Sequence, residues 1–453
     1  MANTCSLTEG KPLSCIVRFM LPVLGCNLLQ QFYSLIDTAL VGHILGDTAL
    51  AAVGATTFIC NLLLAFATGL TSGFAILSAQ DWGTGDRKGL QTTAAASFLL
   101  TLVITCILTL GVSALLRPLL HLLRTPEAIF PYSYRFLLIN VLGLAASMLY
   151  NLATALLRSV GKSTVPLVIL ICCLGINLVL ALVFLYLLGW GVAGAALATV
   201  TAQLLSAGIS WTYLLRTCPE LRFGRAQLRD IQYQKVLRLL RAGLAMLLCV
   251  SIPEFGSIIL QAAVNTMGTV AITAYTVGRR VINVTMAPLN AIGIAMATYV
   301  SQNLGAGKPQ RIRQGMRTAS IIQLVWSVLS TVLVFCLCRQ LSLWISGSSD
   351  TVMLSWAEQY MCITNLFYPF VGVVLLYRQA LQSLGDQFVP ILCSCLEVIV
   401  KALVVFFLPA GSSFMIICLT EPATWILNTA ILLGIYFFDF RKGMPQGGYK
   451  RMP

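Results

Sequence analysis

Long apolar runs fill the chain, and short polar breaks cut them at nearly regular intervals. Phe98–Leu116, Val165–Leu188 and Ile321–Leu337 contain no charged residue. Runs of this kind reach the roughly 17–25 residues that a helix needs to cross a hydrocarbon core. The pattern predicts twelve spans, near residues 16–38, 48–80, 92–116, 131–157, 165–188, 190–215, 237–266, 270–303, 316–340, 353–380, 388–409 and 413–438. Met1 to Pro12 is polar and the run after it is long enough to span, so the expectation is no cleavable signal peptide.

Composition agrees with the pattern. The chain is 58% hydrophobic and 10% charged over 453 residues, against about 25% charged in a soluble domain; mean hydropathy is +0.88. A soluble fold is excluded, and an all-α integral membrane protein is expected. Fifteen cysteines raise the question of a disulfide framework, but most lie inside apolar runs, where cysteine behaves as a small hydrophobe. No CxxC pair occurs, and His43 and His121 are far apart in sequence, so neither structural zinc nor haem is expected.

Charge orients the spans. An even number puts both termini on one side. That side gathers Lys11, Arg18, Arg87, Lys88, Arg158, Lys162, the cluster from Arg216 to Arg241, and Lys308 to Arg317. The opposite side has Arg117, Arg124, Arg135 and Arg339. Basic loops stay cytoplasmic, so both termini are predicted inside and the chain is placed in the cell inner (plasma) membrane. The net charge of +14 then reflects loops beside anionic headgroups, and no nucleic acid partner is expected.

The chain also resembles itself. A shift of 222 residues aligns Gly46 with Gly268, Ala49 with Ala271, Asn61 with Asn283, Gln80 with Gln302 and Gly85 with Gly307. A shift of 224 aligns Leu157–Pro166 with Leu381–Pro390, five of the ten positions being identical. This predicts two pseudo-symmetric six-helix bundles, residues 1–215 and 237–453, joined by a basic cytoplasmic linker at 216–236 and related by an axis along the membrane normal. Two like bundles suit alternating access, although a duplicated structural module would repeat as well.

Ionisable groups at membrane depth mark candidate sites, because an unpaired buried charge costs several kcal/mol. Asp37 falls in the first span, Glu254 in the seventh, Arg279 and Arg280 in the eighth, Glu397 and Lys401 in the eleventh, and Glu421 in the twelfth. Glu397 and Lys401 stand one helical turn apart and read as a self-neutralising pair or as second-lobe cavity groups. Asp37 and Glu254 have no such local partner and read as cation carriers; alternatively Asp37 sits at an aqueous mouth, and Arg279 and Arg280 neutralise Glu254. Pro22, mid-span, predicts either a static kink or a conformational hinge. Gly161-Lys-Ser lacks the first glycine of a phosphate loop, Leu156 standing there, and no catalytic constellation is present. An enzyme is not expected.

These motifs together resemble the multidrug and toxic compound extrusion (MATE) family. They are Pro22 through Asp37-Thr-Ala-Leu-Val-Gly42 and Ala49-Leu-Ala-Ala-Val-Gly54, Asn177-Leu-Val-Leu, Gly189-Trp-Gly-Val-Ala-Gly-Ala-Ala-Leu-Ala-Thr199, and Gln302-Asn-Leu-Gly-Ala-Gly-Lys308. The resemblance implies a monomeric antiporter that exports small organic compounds, cationic or amphipathic, in exchange for inward H+ or Na+, with no cofactor. It implies a cation site of Asp37, Tyr33, Asn177 and Thr199, with Glu254 as a second-lobe acid. Full sites of the family carry a further acid four residues after the asparagine, where this chain has Ala181. The alternatives are a flippase for a lipid-linked saccharide precursor, which Arg279 and Arg280 leave open, and a non-transporting scaffold.

Overall fold

The computed structural model describes residues 7–122, 125–348, 350–407 and 414–441; Arg124 falls outside them. Every regular element among the described residues is helical, as a lipid environment requires, since a helix satisfies its own backbone. In order these are α1 (Pro12–Leu45), α2 (Asp47–Thr84), α3 (Arg87–Leu122), α4 (Phe130–Leu142), α5 (Leu144–Ser159), α6 (Thr164–Leu182), α7 (Gly191–Thr217), α8 (Arg225–Arg229), α9 (Tyr233–Thr266), α10 (Thr269–Gly305), α11 (Pro309–Ser346), α12 (Thr351–Leu366), α13 (Tyr368–Leu384), α14 (Phe388–Phe406) and α15 (Phe414–Arg441). Ten are long and apolar enough to cross a membrane alone, and the bent pairs α4–α5 and α12–α13 bring the spans to twelve.

The bent pairs depart from the expected continuous helices at 131–157 and 353–380. The chain turns by 45° between α4 and α5 and by 51° between α12 and α13. Pro369 has no N–H, so the Asn365 carbonyl lacks the donor four residues on; Thr331 Oγ1 of α11 donates to it, at 2.8 Å. In the first half, Thr109 Oγ1 of α3 donates to the Val141 carbonyl at 3.4 Å. The 222 offset relates Thr109 to Thr331, and the 224 offset carries Val141 onto Asn365 and the breaking residue Gly143 onto Phe367. The repeat therefore includes the bend and the hydroxyl that satisfies its freed carbonyl. At Gly143 a Cβ would collide with Val200 of α7, so close helix approach also requires the glycine.

Contacts divide the chain into two compact units, one holding Gly25–Leu247 and the other Leu7–Leu24 together with Leu248 onward. α1 thus gives its first half to the second unit, and α9 gives its first half to the first. The two changeover points correspond to within one residue under the 222 offset. In the first unit, Gly69 and Gly73 of α2 admit the α9 backbone: a Cβ on Gly69 would lie 2.6 Å from Leu247 Cα, and one on Gly73 would collide with the Ala242 carbonyl. Small residues four apart are the usual means of close packing in lipid. The offset turns this pair into Ala291 and Ala295 of α10, which share an apolar core with Ile16, Phe19 and Val23 of α1 in the second unit.

Gly73→Leu forces backbone displacement along α2–α9 and is expected to destabilise the protein by about 1–3 kcal/mol, read as lower yield and a lower Tm in detergent. Gly175→Ala meets nothing within 4 Å and is expected to leave Tm unchanged or slightly raised, because alanine favours the helix over glycine.

Candidate cation and substrate site

Within the first unit, α1, α2, α4, α5, α6 and α7 surround a cavity of about 360 Å³. Tyr33 and Asp37 both line it from α1, one turn apart, as the helical period demands. Tyr33 Oη lies 3.3 Å from Thr199 Oγ1 on α7 and within hydrogen-bonding reach of Asn177 on α6. The fold therefore brings together all four residues that the sequence proposes for one site, across 166 positions of chain.

The rest of the lining is uncharged, a mixture of polar groups and apolar side chains such as Val53, Leu63, Phe136 and Leu170. Amides come from Gln30, Asn61, Asn140, Asn151 and Gln203, and hydroxyls from Thr56, Thr57, Ser147, Tyr150 and Ser206. Asn140 Nδ2 donates to the Phe136 carbonyl at 2.9 Å, and Asn151 Nδ2 donates to the Ser147 carbonyl at 2.9 Å. Spending the amide N–H groups inside their own helices leaves the side-chain oxygens as acceptors. Asp37 is the one carboxylate among the described lining residues. A single negative charge amid neutral oxygens suits a proton, a hard monovalent cation or an organic cation.

Ala181 is 1% exposed and packs in an apolar cluster with Val41, Ala49, Val192 and Ala198. The place of the missing second acid is thus closed hydrocarbon and no part of the cavity. A π-helical turn, Val183–Leu187, follows directly; such turns recur near functional sites.

The second unit treats its charges differently. Glu421 of α15 accepts from Arg279 Nη1 of α10 at 3.1 Å, lies 3.6 Å from Lys401 Nζ of α14, and accepts from Tyr360 Oη of α12 at 3.3 Å. Lys401 also meets Glu397 at 2.8 Å. Two cations and two carboxylates alternate, with no net charge, around a lysine only 1% exposed. Arg279 is thus partnered by Glu421 and not by Glu254. Arg280 and Glu254 are exposed and join no ion pair among the described residues. Pro22 lies inside an uninterrupted α1, three residues before that helix changes unit.

Sequence reasoning passed over Glu421 as a hub, because its partners lie 142 and 20 positions away and no local spacing pairs them. It also passed over the cavity amides; only Asn61 carried a signal, as part of the internal repeat. Lys401→Met alone would strand Glu397 and is expected to destabilise by about 3–5 kcal/mol, whereas Lys401→Met with Glu397→Gln restores neutrality and most of the stability, as measured by thermal unfolding in detergent.

Comparison with known proteins bears on the whole chain. The MatE family pattern matches residues 22–183 and 237–407, one block in each repeat. The probable multidrug resistance protein YpnP of Bacillus subtilis is 27% identical over 83% of this chain and 84% of its own length. A protein named FAD transporter from Shewanella oneidensis is 25% identical over 78% of each chain. A solved structure described as the outward-facing conformation of a multidrug resistance MATE family transporter of the MOP superfamily superposes with a TM-score of 0.88 at 18% identity, covering 98% of this chain and 99% of that one. The Vibrio cholerae MATE transporter VcmN superposes with a TM-score of 0.87 at 20% identity, over 96% and 98%. Twelve spans in a duplicated helical fold and a family match in both halves lead to one conclusion: this chain belongs to the MatE family, the multidrug and toxic compound extrusion transporters.

Proposed function

We propose that the chain is a secondary antiporter that exports small cationic or amphipathic compounds in exchange for inward H+ or Na+, and that Asp37 is the coupling carboxylate. The carrying observation is the isolation of that carboxylate in a cavity otherwise lined by neutral amides, hydroxyls and apolar side chains. Tyr33, Asn177 and Thr199 hold the ion beside it. Apolar packing at Ala181 leaves one formal charge for the ion to balance, which favours a proton, since sodium favours several oxygen ligands. The lobes 1–215 and 237–453 carry the alternating access, α1 bends near Pro22, and both termini face the cytoplasm of a plasma-membrane monomer.

Coupling needs cation and substrate to stabilise different states, because a ligand with equal affinity for both shifts nothing. A flippase reading is weaker: Glu421 already neutralises Arg279, which leaves Arg280 as the exposed cation of the pair. The relative named FAD transporter makes an anionic dinucleotide the informative control substrate.

In proteoliposomes given a proton gradient and a sodium gradient in turn, one gradient is expected to drive export of a lipophilic cation. Asp37→Asn is expected to lower that rate at least a hundredfold with normal membrane insertion, and Glu254→Gln to lower it less than fivefold. Unchanged gradient-driven export in Asp37→Asn, or transport of the dinucleotide alone, contradicts the assignment.

A further inference from the structure

Gln302–Lys308, one of the stretches that resembles the family, takes no part in the cavity, yet its side chains are engaged. Asn303 and Lys308, with Arg311 just beyond, hold the segment Leu7–Gly10 that precedes α1. Arg311 Nη1 donates to the Gly10 carbonyl at 2.9 Å. Its Nη2 donates to the carbonyls of Glu9 at 3.2 Å and Leu7 at 3.3 Å, and its Nε to Asn303 Oδ1 at 3.1 Å. Asn303 Nδ2 reaches the Leu7 carbonyl at 3.2 Å, and Lys308 Nζ reaches the Thr8 carbonyl at 3.1 Å. Every acceptor on the segment is a backbone carbonyl, so the grip reads the path of the strap and not its side chains. Leu7 is anchored by its side chain as well, 1% exposed in the core that contains Phe19 and Tyr299.

The first unit repeats the arrangement with its polarity reversed. Asp81, the counterpart of Asn303 under the 222 offset, accepts from Lys235 in the first turn of α9 at 3.4 Å, and Lys235 also donates to the Gly89 carbonyl. Gln227 ahead of α9 donates to Gln91 Oε1 at 3.3 Å, and Gln91 donates to the Pro219 carbonyl at 3.1 Å. In the second unit the loop supplies the cation; in the first, the strap does.

By chain order Leu7–Gly10 leads into the first repeat and Lys235 into the second, yet each is fastened to the corresponding loop of the other repeat. Motion of one repeat against the other must release these straps or drag them along. We propose that the two straps are paired latches of the transport cycle, with Arg311 and Lys235 as positioning residues that set the balance between its two access states. This rests on the alternating-access reading above. The latch residues touch neither ion nor substrate, so their loss moves the equilibrium between states while leaving the cavity chemistry intact.

The test uses full-length protein in proteoliposomes, in a background whose exposed native cysteines are replaced. Thr8→Cys with Lys308→Cys is joined by a reducible bis-methanethiosulfonate linker. The linked protein is expected to bind a fluorescent lipophilic cation as before, to transport it at least tenfold more slowly, and to recover on reduction. Linked protein that transports at the unlinked rate overturns the proposal. Failure of the alternating-access reading would instead abolish gradient-driven transport in the unlinked protein too. As a second readout, Arg311→Gln is expected to raise labelling of a Thr57→Cys reporter by an impermeant maleimide from the Lys308 side at least fivefold, with Arg311→Lys falling between. Equal labelling in all three, at equal folded yield, overturns it as well.

Discussion

Hydrocarbon offers no hydrogen bonds and little relief for charge, and this constraint organises both halves of the protein. It makes every spanning segment a helix, and it acts most visibly where a helix cannot continue. At each bend in the fourth and tenth spans a carbonyl is freed, and a threonine hydroxyl from a neighbouring helix supplies the donor. The repeat keeps donor, acceptor and bend in register, although the breaking residue is glycine in one half and a position just before Pro369 in the other. What duplication preserves is the satisfied backbone, while the local cause of the break has been free to change.

Charge shows the same constraint solved in two ways. The second unit cancels its buried charges among themselves, Glu421 being held by Arg279 and Lys401 and the latter by Glu397, and leaves Glu254 and Arg280 exposed. A chain so paired braces α10, α14 and α15 and has little reason to exchange an ion, since removing one partner strands the next. The first unit leaves Asp37 among neutral dipoles. Stabilisation by amides and hydroxyls is weaker than by an opposite charge, and on the proposal above that difference is what leaves the carboxylate open to a cation. The asymmetry is one of partners: paired charges in the second unit, neutral dipoles around Asp37 in the first.

Much of this was legible in the sequence, for physical reasons. Apolar length announces a span, and a fixed offset announces a duplication. Asp37, Tyr33, Asn177 and Thr199 could be placed together through the family resemblance, and all four line one cavity. The bends were not legible, because an apolar run remains apolar through a kink. Of the roles open to Arg279, a bond to Glu421 was not legible, because helix-to-helix partners leave no local spacing to read. The amides of the cavity were equally hidden: Asn140 and Asn151 lie on a bent span whose inward face is set by the turn at Gly143. Ala181 could be recognised as a missing acid, but only the packing showed that its place is closed.

The central claim is that Asp37 exchanges a cation for substrate, and calorimetry of the purified protein tests it most directly. Binding of a lipophilic cation, measured in two buffers of different ionisation enthalpy with and without sodium, reports how many protons or sodium ions are displaced. Close to one ion is expected to be released per substrate bound to the wild type, and none from Asp37→Asn. Equal release from both, or none from the wild type, would contradict it.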